Sequence, residues 1–282
     1  MVAAPGAPTV PNLPAILYGT AWKEQATERL VLAAWEAGFR GFDTANQRKH
    51  YFEQAVGQAL AAKLAGGAKR DELFIQTKFT FRDGQDHRLP YDPHAAVADQ
   101  VRQSVRSSLE HLQVEWIDSL VLHGPSQRDG LGTADREAWQ AMEGLCDTGT
   151  ISRLGVSNVT AEQLAELVGF ARIAPTFVQN RCYADRGWDR QVRQLCSRHH
   201  IIYQGFSLLT ANRMVLAHPT VVAIAKDHRR TPAQIVFRFS QQLGMLPLTG
   251  TSSVEHMRQD LAIGDIELTG TELATIEHAG EA

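Results

Sequence analysis

RGFDTANQRKHYFEQAVG, residues 40–57, begins as a buried strand and ends as a helix. An acid, Asp43, closes the apolar run. The bases Arg48, Lys49 and His50 follow, and then a phenol, Tyr51, just before the helix. A strand feeding a helix through a short polar turn is half of a parallel βαβ unit. An acid and a phenol at the mouth of that turn mark it as a place for chemistry.

The same pairing of a short apolar run with an amphipathic stretch recurs along the chain. The runs are LPAILYG (13–19), FRGFDTA (39–45), LFIQTKF (73–79), IDSLVLHG (117–124), ISRLGVSN (151–158), TFVQN (176–180), IIYQGFS (201–207) and MLPLTGT (245–251). A helix pattern follows each. In residues 93–113, Val97, Val101, Val105, Leu109 and Leu112 recur at helical spacing. Gly38 is a C-terminal stop, and Thr160 with Gln163, Thr231 with Gln234 and Thr269 with Glu272 fit capping boxes. Eight such pairs predict a single α/β domain over 13–282, a closed (β/α)₈ TIM barrel ringed by helices. The competing architecture is an open doubly wound sheet, but no Gly-x-Gly-x-x-Gly follows the first run. Residues 208–230 read as a longer irregular stretch, and the Pro/Ala-rich residues 1–12 as a flexible arm.

Bulk composition agrees with a globular chain. Of 282 residues, 44% are apolar and 21% charged. The net charge of −3, with no basic block, argues against nucleic acid as a partner. No apolar run has the length of a membrane helix and no signal peptide is apparent, so a cytoplasmic setting is expected. Cys146, Cys182 and Cys196 have neither metal spacing nor a disulfide framework. Oligomeric state is not legible.

In a parallel barrel the carboxyl ends of the strands share one face, where active sites form. The polar residues closing the runs are Asp43, Lys78, His123, Ser157 with Asn158, Gln179, Ser207 and Thr249. Singly, each has an ordinary explanation as a turn, surface or core residue. Jointly, an acid, a lysine and a histidine meet in one cleft beside Tyr51. A phenol titrates near ~10, and an ammonium nearby lowers that value. Asp43 is expected to hold Lys78 charged against Tyr51, which then protonates a carbonyl oxygen while His123 donates a second hydrogen bond to it. A hydride to the carbon requires a cofactor.

FDTA with the following tyrosine, LFIQTK, DSLVLHGP, ISRLGVSN, FVQN, GFSLL and TPAQIVFR together resemble the aldo-keto reductase family, in order, from about Gly19 to Leu268. The resemblance implies reduction of a small aldehyde or ketone by NADP(H), with NAD(H) as the other candidate cofactor. It implies Asp43, Tyr51, Lys78 and His123 as a catalytic tetrad. Gly19, Thr20, Ala21 and Trp22 correspond to the first loop. Ser157, Asn158 and Gln179 correspond to the residues holding the nicotinamide carboxamide, and Phe206, followed by Ser207 and Leu208, to the aromatic stacked on its ring. Gly250, Thr251, Ser252, Arg258, Gln259 and Asp260 fall at the adenosine end, with Ser252 and Glu255 read as a capping box. Trp22, Phe79 and His50 are the expected substrate contacts.

The chain departs from the family pattern in several places. Tyr51 stands eight residues after Asp43 rather than five, and counting back from Glu53 places His50 in the usual slot. Gly250 stands where NADP-preferring relatives carry a lysine. Gly124 follows His123 where a bulky aromatic is common, and the chain ends soon after the last helix, so an open pocket is expected. Residues 80–93 and 124–137 are long enough for lids. The alternative to an enzyme is a cofactor-binding regulatory or adaptor barrel with little turnover; another is a barrel isomerase or lyase using the last-strand phosphate site.

Overall fold

The computed structural model describes Val10 and residues 13–280. Strands β1 (Leu17–Gly19), β2 (Gly41–Asp43), β3 (Phe74–Phe79), β4 (Ser119–Leu122), β5 (Leu154–Ser157), β6 (Phe177–Arg181), β7 (Ile202–Phe206) and β8 (Leu246–Thr249) pair in chain order, all parallel. Strand β8 returns to β1, with Tyr18 opposite Thr249, which closes the barrel and excludes an open sheet. Helices α1 (Thr27–Ala37), α2 (Glu53–Ala65), α3 (Val97–Leu112), α4 (Thr133–Asp147), α5 (Ala161–Phe170) and α6 (Arg190–Arg198) follow the first six strands. After β7 come α7 (Arg213–Ala217), α8 (Pro219–Asp227) and α9 (Pro232–Gln242); after β8 come α10 (Val254–Leu261) and α11 (Gly270–His278). The arm expected over 1–12 lies, apart from Val10, outside the described residues.

Alternation along the strands sorts the side chains. In β3, Ile75 and Phe79 join the large core between barrel and helices, whereas Phe74, Gln76 and Lys78 occupy the other face. The barrel interior is layered. Leu17, Phe74, Phe177, Leu246 and Leu248 form an apolar floor, with the Phe74 and Phe177 rings 5.6 Å apart, edge to face. Above it Gln76, Gln204 and Ser119 bond one another: Gln204 Nε2 donates to Gln76 Oε1 at 3.0 Å, and Ser119 Oγ to the same oxygen at 2.9 Å. The layer above carries Asp43 and Lys78. This polar filling is hydrogen-bonded throughout, as burial requires.

The three expected threonine capping boxes are all present. The stretch expected to be irregular, 208–230, contains α7 and α8. Pro219 occupies the first turn of α8, and His218 Nδ1 accepts from Thr220 N at 3.4 Å. Their apolar spacing is too short to announce a helix.

Gly57 lies where α2 crosses α3. A Cβ there would stand 1.9 Å from the His111 carbonyl oxygen and 2.7 Å from Leu112 Cα. Both obstacles are backbone, so relief requires the helices to separate. Gly57→Ala is expected to destabilise the protein by roughly 1–3 kcal/mol, despite the better helix propensity of alanine. Urea unfolding measures this; an unchanged or raised midpoint contradicts the close crossing.

Candidate active site

Three strand ends and one turn bring the expected tetrad together. Asp43 closes β2, Lys78 is the penultimate residue of β3 and His123 follows β4. Lys78 Nζ donates to both Asp43 oxygens at 2.7 Å and to the Thr44 carbonyl at 2.8 Å. Those contacts match the three N–H bonds of an ammonium. Gln76 Nε2 and Gln179 Nε2 also donate to Asp43 Oδ1, at 2.7 and 2.9 Å. The pair is wholly buried, and burial draws Lys78 below the usual lysine range while Asp43 opposes the shift.

Tyr51 is half-buried beside this pair. Its ring centroid lies 5.0 Å from Lys78 Nζ and 5.9 Å from the His123 ring. The electrostatics differ from the expectation of a lysine-acidified phenol. Burial, and then the Asp43 carboxylate, raise the Tyr51 pKa well above the ordinary tyrosine value. The physical reason is that burial disfavours the phenolate, and that Asp43 takes up the lysine charge and its N–H bonds. Tyr51 is therefore a phenol that keeps its proton. His50, the rival in sequence, lies at the margin of the same cleft as His123: its ring stacks on the exposed Trp22 indole at 3.9 Å, and its carbonyl accepts from Trp22 N at 2.7 Å.

His123 is held by Thr80 Oγ1, 2.7 Å from its Nδ1, and its carbonyl accepts from Asn158 Nδ2 at 2.7 Å. Burial, then the Lys78 charge, push its pKa down to about 3, so the ring is neutral at physiological pH. A cleft of about 480 Å³ opens over it, lined among others by Gln47, His50, Phe81, Arg82, Ser126 and Asn158. A second pocket of about 290 Å³ lies on the Tyr51 side, with Arg48, Glu53 and His111 in its wall.

Neither long loop is a free lid. Gln47 Nε2 and Tyr91 Oη anchor residues 80–91 through the Gly84 and Thr80 carbonyls, at 2.6 and 2.8 Å. Gln163 Nε2 binds the carbonyls of Gln127, Arg128 and Gly130.

Along the rim, Ser157 Oγ donates to the Gln179 carbonyl at 2.6 Å. Gln179 Oε1 and Asn158 Oδ1 receive no hydrogen bond from the described residues. Phe206 is half-buried, with the Arg181 guanidinium 5.6 Å from its ring centroid, and Ser207 adopts a left-handed backbone, φ 57°. Thr20 binds the Asp43 carbonyl through both N and Oγ1, fixing the Gly19–Thr20–Ala21 turn over β2.

At the β8 end, the capping residue of α10 is Ser253, whose Oγ accepts from His256 N at 3.3 Å, not Ser252. The helix starts one residue later because Thr251 Oγ1 first accepts from Ser253 N, at 3.2 Å. Ser252 and Arg258 are exposed, and the Arg258 guanidinium has no hydrogen bond or ion pair among the described residues. Asp260 is buried, accepts from Thr249 Oγ1 at 2.7 Å and ties α10 to β8; burial lifts its pKa to about 6. Gln259 bonds Glu255 Oε1 at 2.9 Å on the helix surface.

The sequence matches the profile of the Aldo/keto reductase family over residues 15–281. The chain belongs to that family. An aldo-keto reductase of Mycolicibacterium vanbaalenii is 30% identical, spanning 100% of this chain and 95% of its own. A D-galacturonate reductase of Fragaria ananassa is 31% identical over 95% of this chain and 87% of its own. Among solved structures, a Schistosoma japonicum aldose reductase superposes with a TM-score of 0.82 at 22% identity, over 95% of this chain and 89% of that one, a likeness of fold.

Among the expected site residues of this aldo/keto reductase chain, Phe79 and Leu208 are turned into the apolar core. Phe79, expected at substrate, is fully buried among Phe81 and Tyr91, because strand alternation turns it opposite to Lys78; Phe81 lines the cleft instead. Leu208 is a core residue, 1% exposed.

Two other residues escape the sequence reading. Thr80 carries a hydroxyl two residues beyond Lys78, just after β3, but nothing in the sequence links it to His123. Lys23 leaves the first loop to donate to the Gly250 carbonyl at 2.7 Å, over the Tyr18 ring. Its burial lowers its pKa to about 8. A lysine one turn after β1 is the available signal. No group of metal-ligating side chains occurs among the described residues, and none of their helices is long and apolar enough to cross a membrane.

Proposed function

We propose that this cleft reduces an aldehyde or ketone to an alcohol with a nicotinamide cofactor, preferring NADPH, and with Tyr51 as proton donor. One observation carries the reading. A protonated phenol and a neutral imidazole sit 5.9 Å apart, ring to ring, beside a buried ammonium–carboxylate pair. When bound, the nicotinamide supplies the hydride, which no side chain can. The carbonyl oxygen gains charge as the carbon is reduced, and the side chains act on that oxygen. Tyr51 donates its proton to it, and burial keeps that proton in place until then. Lys78 stabilises the phenolate left behind, and Asp43 holds Lys78 in position. His123 donates a hydrogen bond to the same oxygen from its neutral ring.

The residues present fit the cofactor's chemistry. Gln179 Oε1 and Asn158 Oδ1 are acceptors without donors among the described residues, suited to a carboxamide NH₂, and Phe206, half-buried at the end of β7, offers a ring face. Thr251, Ser252 and the first-turn amides of α10 suit a phosphate, with the uncommitted Arg258 as its cation. His50 and Trp22 form an aromatic margin for substrate. The polar lining, with Gln47, Arg82 and Ser126, suits hydroxylated carbonyl compounds, the class that the name of the Fragaria relative also suggests.

Loss of NADPH absorbance with a reactive aldehyde tests the activity. The expected kcat/KM for NADPH exceeds that for NADH by at least about tenfold, the worth of one charge-assisted contact, and Arg258→Ala narrows the gap. A preference for NADH overturns the cofactor assignment.

A further inference from the structure

Beside the proposed reacting groups stands a hydroxyl that the reaction itself does not use. We propose that Thr80 is a positioning residue whose hydroxyl donates to His123 Nδ1 and so fixes the single ring proton on Nε2. The inference rests on the carbonyl-reductase reading of the cleft.

The two atoms are 2.7 Å apart, and Thr80 is buried. Either could donate, but only one arrangement satisfies both. If Nδ1–H donated to Oγ1, the threonine proton would need another acceptor, and Oγ1 has no other partner among the described residues. An unpaired buried donor is costly, so the hydroxyl donates and Nδ1 accepts. Nε2 then carries the proton and is the nitrogen left for the cleft that His123 lines. A charged imidazole would present N–H bonds on both sides, and the tautomer would not matter. A neutral one has a single N–H, and the choice of nitrogen decides whether it can donate to a carbonyl oxygen at all.

The surrounding chain holds Thr80 in place. Its carbonyl accepts from Tyr91 Oη at 2.8 Å and from Gln85 Nε2 at 3.4 Å, and Gln85 also donates to the Asn46 carbonyl at 2.9 Å. The turn after β3 is thereby pinned to the turn after β2, which carries Tyr51. His123 is fixed on its other side, its N donating to the Phe79 carbonyl at 2.9 Å and its carbonyl accepting from Asn158. Ring and hydroxyl therefore meet in one geometry.

The test combines ¹⁵N NMR of the His123 ring with kinetics of Thr80→Val and Thr80→Ser. In the unsubstituted protein, Nδ1 is expected to show the shift of an unprotonated nitrogen and Nε2 that of a protonated one. Thr80→Val, which keeps the shape and removes the hydroxyl, is expected to give averaged shifts of exchanging tautomers. It is also expected to lower kcat at least about tenfold, with the KM for NADPH unchanged. Thr80→Ser restores both readouts. A proton found on Nδ1, or full kcat in Thr80→Val, overturns the proposal. The NMR arm needs no turnover, so a protein without reductase activity refutes the functional reading while leaving the tautomer assignment testable.

Discussion

Tyr51→Phe is expected to remove turnover, lowering kcat by roughly 10²–10⁴ while NADPH still quenches tryptophan fluorescence as before. The substitution deletes one oxygen and keeps the ring that packs against Lys78 and His123. That hydroxyl has no hydrogen-bond partner among the described residues, so its loss leaves nothing buried and unpaired, and stability should hold. His50→Ala makes the control. His50 is stacked on Trp22 at the margin of the cleft, and burial holds its pKa below the usual histidine range. Its removal should raise the KM for substrate more than it lowers kcat. The reverse pattern, an active Tyr51→Phe and an inactive His50→Ala, would make the imidazole the proton donor and refute the assignment.

Residues 40–57 show how far sequence carries and where it stops. The strand, the turn and the helix are legible because Phe39 and Phe42 are buried around β2, a polar turn follows Asp43, and Val56, Ala59 and Leu60 recur on the buried face of α2. Repetition of that pattern eight times is enough for the barrel. Asp43, Lys78 and His123 are legible for a related reason: strand ends in a parallel barrel share a face, so polar residues closing apolar runs converge without knowledge of the loops between them. The long spacing from Asp43 to Tyr51 is visible too, but not its consequence. Which of His50 and Tyr51 turns inward depends on the Trp22 stack and on the Gln47 carbonyl, which accepts from both His50 N and Tyr51 N. These are contacts between turns, with no periodicity to read.

The same limit explains the other misreadings. Ser252 and Ser253 are adjacent candidates for one cap, and Thr251 decides between them by accepting from Ser253 N. Phe79, expected at substrate, directly follows Lys78, and strand alternation sends such neighbours to opposite faces. The direction of the Tyr51 shift is misjudged when the lysine charge is counted but burial, and after it the Asp43 carboxylate, are not.

Lys78→Met is expected to cost both activity and stability, and its partner substitution separates the two. Lys78 is the cation beside the proposed proton donor, so kcat should fall by about two orders of magnitude or more. Its removal also strands the Asp43 carboxylate in the barrel interior with only the amides of Gln76 and Gln179 for company. Breaking one half of a buried pair in this way typically costs about 3–5 kcal/mol, because the remaining charge is desolvated without compensation. Combining Lys78→Met with Asp43→Asn removes that charge. The double variant should recover most of the lost stability, since the neutral amide oxygen introduced at position 43 can still accept from both glutamines, while turnover stays absent. Urea unfolding of the single and double variants, beside NADPH consumption, reads the two effects independently. Should the double variant prove as unstable as Lys78→Met, the loss is one of packing around the lysine stem rather than of an unpaired carboxylate. Should it regain turnover, the buried ion pair is scaffolding for the barrel and no part of the proton transfer.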